Sequence, residues 1–74
     1  MELQIGTRYQ CRRKEYIACV TDDVSRIDKL YKYKGYVFDA NTGDFVRKIC
    51  MWTSNGNYSI DHPTDYDIIS ISNK

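Results

Sequence analysis

"KGYVFDANTGDFVRKICMWTS", residues 34–54, sets two runs of aromatic and β-branched residues on either side of "DANTGD". Val, Ile, Tyr, Phe and Trp suit a pleated, half-buried surface. Asn41 and Gly43 between the runs are residue types that tolerate the positive φ of a hairpin turn or a G1 bulge. The stretch therefore predicts a β-hairpin.

Upstream, "TRYQCRRKEYIACVTD" carries Tyr9 and Cys11 into a polar "RRKE" turn, after which Tyr16, Ala18 and Val20 alternate with Ile17 and Cys19. Period-two alternation on both sides of a turn predicts another hairpin. In residues 21–32, "TDDVSRIDKLYK", Thr21 or Asp22 could cap a helical turn, with Val24, Ile27, Leu30 and Tyr31 at spacings of three and four; one short helix or an ordered loop fits. Downstream, the Asn-Gly of "SNGN" predicts a type I′ hairpin that would set Trp52 near Tyr58 across a ladder. After His62-Pro63, "YDIISIS" alternates Ile69 and Ile71 against Ile68 and ends the fold, with the last few residues expected to fray. Five or six short strands and at most one short helix define an all-β domain, a small SH3-like or bent antiparallel barrel. At 74 residues there is apolar surface for one core only, so residues 1–74 read as a single domain.

A domain this small has a thin margin over chain entropy, for which oligomerisation is a common remedy. Cys11, Cys19 and Cys50 are odd in number and lack Cys-x-x-Cys spacing, and "MELQIGTRYQCRRKE" has no apolar leader. They read as reduced, buried thiols of a cytoplasmic protein, too scattered for a zinc site. No apolar run approaches the roughly 18 residues of a membrane span. A net charge of +1 argues against a general nucleic-acid coat, which needs a basic domain, and against mimicry of DNA, which needs dense negative charge.

"DHPTDYD", residues 61–67, gathers three carboxylates and the chain's one histidine. A hard cation would need two or three of these oxygens converging at about 2.0–2.6 Å. Pro63 stiffens the segment and no glycine permits a calcium-loop reversal, so Asp61 and Asp65 read as acceptors of backbone bonds in turns. Asp67 would share a strand face with Asp65 only if pairing continues. His62 has no assignable nucleophile or orienting partner, which makes it an exposed loop histidine rather than a base. No catalytic residue, metal site or cofactor is read, and the expectation is a protein that is not an enzyme.

Binding residues are easier to nominate. Arg8, Arg12 and Arg13 form the densest basic region, and arginine forks suit phosphate. Seven Tyr, two Phe and one Trp exceed what so small a core can bury with every hydroxyl satisfied. Tyr36, Trp52 and Tyr58 are therefore expected to contribute to a pocket or interface, Trp52 and Tyr58 foremost.

Gly35-Tyr36-Val37, Trp52-Thr53, Asn55-Gly56-Asn57-Tyr58 and Asp65-Tyr66-Asp67-Ile68, in this order, resemble the motifs of a group of small bacteriophage β-barrel proteins. The similarity covers most of residues 6–71, with 21–32 divergent and Asn-Gly standing where Asp-Gly is common. It implies an accessory gene product acting in the host cytoplasm, where such proteins commonly blunt host defence. Combined with the basic and aromatic residues, the leading expectation is a homo-oligomer that sequesters a nucleotide-derived immune signal. The alternatives are direct inhibition of a host defence protein through an exposed β-edge or the aromatic-basic surface, and a small nucleic-acid-binding barrel.

Overall fold

The hairpin around "DANTGD" forms because Asp39 organises its own turn. Its carboxylate accepts from the amides of Asn41 and Thr42, its carbonyl accepts from Gly43, and its amide donates to the carbonyl of Asp44. Gly43 supplies the positive φ, 78°, while Asn41 stays in the ordinary region.

In the computed structural model, which describes residues 2–72, the strands are β1 (Arg8–Cys11), β2 (Tyr16–Asp23), β3 (Tyr33–Asp39), β4 (Phe45–Trp52) and β5 (Ile68–Ile71). They form one antiparallel sheet in the order β4-β3-β2-β1-β5. The expected fraying falls at the end of the chain, where residues 73–74 lie outside the described residues. Pairing shifts register at Gln10/Cys11, Val20/Asp22 and on both sides of Val37. Such bulges bend and twist a strand, and here they curl the sheet around a core of Tyr9, Cys11, Ala18, Val20, Tyr33, Val37, Cys50, Trp52 and Ile68, with Leu3 packed against them.

Of the two readings open for residues 21–32, the ordered loop is the one that forms, and the Asn-Gly hairpin is the expectation that gives way. Residues 21–32 hold no helix: Thr21–Asp23 continue β2, and the rest is a loop closed by the amide of Val24 on the carbonyl of Lys32. Asp23 accepts from the amide of Ser25, and Asp28 from those of Leu30 and Tyr31. These side-chain bonds offer the backbone an alternative to a helical ladder. The apolar period finds no surface to pack on, and Ile27 remains 89% exposed. "SNGN" likewise makes no type I′ hairpin, because that turn needs positive φ at two residues and Gly56 alone has it, at 84°. The chain turns instead with Gly56 donating to the carbonyl of Thr53 and Thr53 to that of Asn57, and no strand follows until β5.

β2 is buried on both faces. Ala18 and Val20 enter the core, whereas Ile17 and Cys19, alternating with them, are buried on the opposite face. At Gly35 of β3 the two central strands come so close that a Cβ would overlap the carbonyl oxygen of Cys19. Gly35→Ala must therefore separate β2 from β3, and it is expected to abolish cooperative thermal unfolding; a melting curve like the parent's would show that the contact yields.

All three cysteines are free and buried. Burial, reinforced by Cys50 and Asp67, pushes the Cys11 thiol up to about 12, and burial pushes Cys50 up to about 11 against the pull of Arg47. Since the thiolate is the reactive form, both are expected to resist iodoacetamide at pH 8 in the folded protein and to react once urea unfolds it, as followed by mass spectrometry.

Candidate functional site

The outer face of the sheet carries an aromatic and cationic surface that follows from register. Cys19 pairs with Arg8 on one side and Tyr36 on the other, and Ile17 with Gln10 and Phe38; Phe38 in turn faces Phe45. Directly paired residues share a sheet face, so Arg8, Tyr36, Phe38 and Phe45 stand over Ile17 and Cys19. Ile17 is completely buried although it lies outside the main core.

The guanidinium of Arg8 lies 5.4 Å from the centre of the Phe38 ring. Tyr36 meets Phe45 edge to face, with centroids 5.2 Å apart. Contact with the Cys19 thiol and then burial raise the Tyr36 phenol above its usual range, while nearby Arg8 pulls it down. Arg8 makes no ion pair among the described residues, and Phe45 is 57% exposed. Together with Gly43 these four side chains line an open recess of about 250 Å³.

The other nominated residues sit elsewhere. Trp52 is a core residue: it is fully buried, and its indole nitrogen donates to the carbonyl of Tyr66 at 2.9 Å. It has no face for a ligand, because this one bond lets the largest apolar side chain fill the barrel with its polar atom satisfied. Tyr58, half-buried, tilts against Tyr66 at 5.0 Å, and Tyr66 stacks on Tyr16. Arg13 lies 4.9 Å over Tyr16 and pairs with Glu15 at 3.1 Å and more loosely with Asp65 at 3.8 Å. Arg12 is 3.4 Å from Asp67. The "RRKE" turn is held from inside by the Gln10 amide, which lies 2.9–3.3 Å from the carbonyl oxygens of Cys11, Arg13, Lys14 and Tyr16. Of the six, Arg8 and Tyr36 share the outer-face recess.

In "DHPTDYD" the residue that matters is Asp67. Neither Asp61 nor Asp65 takes the turn bonds expected of it: the Asp61 amide donates to the Ser59 hydroxyl, and Asp65 reaches only Arg13. Asp67 is 3% exposed and accepts from the amides of Tyr58 and Thr64, the Thr64 hydroxyl and Arg12. His62 and Asp61 are exposed at the rim of a polar cleft of about 280 Å³ that Arg12 and Ser59 share. No family model matches the chain, and no curated protein or solved structure matches it.

Burial by itself would raise the Asp67 carboxyl, but its bonds to Tyr58, Thr64 and Arg12 outweigh burial and hold it below the ordinary carboxylate value. A carboxyl depressed by folding stabilises fully above its unfolded value of about 3.9, and the contribution is lost as pH falls through the folded value. Asp67→Asn leaves part of this donor set unanswered, and a loss of about 2 kcal/mol at pH 7 is expected. Urea unfolding should show the gap from the parent narrowing by pH 2.5; an equal gap at both pH values would make the charge irrelevant.

Proposed function

We propose that this chain is a non-enzymatic phage accessory protein that acts in the host cytoplasm by capturing a nucleotide-derived immune signal on its outer sheet face. The observation that carries this function is Arg8 over Phe38, with no carboxylate partner among the described residues, beside the Tyr36–Phe45 pair. A nucleobase has a π face for the aromatic rings, and a phosphate has oxygens for the guanidinium fork. Support for a phage origin comes from the motif order of residues 35–68.

The recess of about 250 Å³ is smaller than the roughly 300–1,000 Å³ of typical ligand pockets. A second copy set against it would supply the missing wall, and a symmetric interface makes such a pocket from few residues per chain. The proposed working form is therefore a homo-oligomer that sequesters its ligand between subunits.

Native mass spectrometry of freshly purified protein, followed by denaturing extraction, tests this function. The expected result is a symmetric oligomer carrying a nucleotide-sized mass, with retention falling about tenfold, or 1.4 kcal/mol, in Arg8→Ala and in Phe45→Ala, both folded by circular dichroism. An empty monomer, or full retention in both variants, would remove it.

A further inference from the structure

Asn41 precedes Thr42, Asn57 precedes Tyr58 and Asn73 precedes Lys74, whereas Asn55 precedes a glycine. Asparagine before glycine is the pair most open to deamidation, because no side chain crowds the backbone nitrogen that attacks. Asn55 is exposed and Gly56 is buried. The fold favours glycine at 56 on two counts. Its φ of 84° lies in the region that glycine enters freely, and a Cβ there would stand 3.1 Å from both the Cβ and the carbonyl oxygen of Ile68. The reactive neighbour of Asn55 is therefore built into the turn.

The same turn withholds that nitrogen. The Gly56 amide donates to the carbonyl of Thr53 at 2.9 Å, and the Gly56 carbonyl accepts from the amide of Ile68 at 2.9 Å. The Thr53 amide donates to the carbonyl of Asn57, whose own amide donates to the Thr53 hydroxyl at 3.2 Å. One residue on, the amide of Tyr58 is held by Asp67. To react, the Gly56 nitrogen must shed its proton and swing toward Cγ of Asn55. That movement breaks the bond to Thr53 and pulls against the one to Ile68, so it requires a local opening of residues 53–67.

We infer that Asn55 is a modification site gated by the return loop: it deamidates when residues 53–67 lift from β5 and is inert while they are seated. The deprotonated Gly56 nitrogen bonds to Cγ of Asn55, and the bond from Cγ to the side-chain nitrogen breaks, so that ammonia leaves with the proton and a cyclic imide remains. Water then opens the imide at one of its two carbonyl carbons, giving aspartate or isoaspartate; no electrons are exchanged. Isoaspartate routes the main chain through the former side chain and lengthens it just before Gly56. Gly56 sits too close to Ile68 to absorb that shift. The modified loop therefore cannot reseat, and the step is an irreversible one that sets the lifetime of the closed fold. The site is separate from the recess at Arg8 and stands whether or not that recess binds a nucleotide.

The experiment incubates the full chain and the capped peptide "TSNGNY" side by side at pH 8, with peptide mapping that separates aspartate from isoaspartate. Hydrogen exchange of the Gly56 amide is measured in the same buffer. Conversion in the folded chain is expected to be slower than in the peptide by about tenfold or more, and by the same factor as the protection of the Gly56 amide. Asp67→Asn, checked for folding by circular dichroism, loosens the loop and should speed conversion of Asn55 about tenfold. Urea below the global transition should speed it in the parent too, which keeps the test independent of how the variant folds. Asn55→Gln, an exposed substitution that cyclises far more slowly, should keep its melting curve through an incubation long enough to convert the parent, whose curve should shift down. A peptide-like rate in the folded chain would overturn the inference. So would conversion that maps first to Asn41 or Asn57, absence of acceleration in both the variant and urea, or an unchanged melting curve in the converted parent.

Discussion

A buried carboxylate organises the return of the chain. Between β4 and β5 the backbone runs through residues 53–67 with no strand to hold it, yet this segment must cover the open end of a curled sheet. Asp67 makes that possible by gathering the amides of Tyr58 and Thr64, the Thr64 hydroxyl and the guanidinium of Arg12. The amide of Arg12 also donates to the carbonyl of Asp67, so β1 and the loop are joined by backbone as well as side chain. Tyr66 is thereby placed to accept the Trp52 indole bond, and Ile68 to start β5 beside β1. Burial of a charge is tolerable only when its acceptors are answered, and no buried side-chain polar atom among the described residues is left without a partner.

The second constraint is scarcity of chain. β2 is covered on both faces, but only one face is covered by a closed core. The other is roofed by the side chains of its neighbours in the ladder, and rings laid over Ile17 and Cys19 necessarily keep one side in water. The arginine and aromatic recess thus arises from the same shortage that makes a small domain marginal. The proposed ligand capture would complete a layer that 74 residues do not supply.

Strand-forming segments were legible because their signals are local. Period-two alternation located β1 to β5, and "DANTGD" marked its turn through Asp39 and Gly43. "TDDVSRIDKLYK" left helix and loop both open because three-and-four spacing describes a helix only if something packs against the stripe, and Asp23 and Asp28 drew the backbone into turns. "SNGN" misled because Asn-Gly suits a hairpin only when two strands are free to pair. Here residues after Gly56 were drawn to Asp67 and to β5, whose first amide, at Ile68, donates to the carbonyl of Gly56. Trp52 was misjudged as a contact residue because composition counts aromatics without saying which are enclosed. The spacing of Tyr36 and Phe38 in "GYVFD" was the available signal for the outer face, since residues two apart share a side of a strand.

By itself, then, the sequence determined an all-β domain, the positions of its strands, the central hairpin, and the presence of more aromatic and arginine side chains than one core can absorb. These follow from local propensity, alternation and chain length, which act without knowledge of distant residues. Only the tertiary structure decided that Trp52 closes the core, that Asp67 rather than Asp61 or Asp65 secures the return loop, and that Arg8 and Tyr36 converge while Arg12, Arg13 and Tyr58 lie apart from them. Each of those outcomes depends on register and on contacts between residues far apart in the chain, where enclosure and competing hydrogen bonds outweigh local preference.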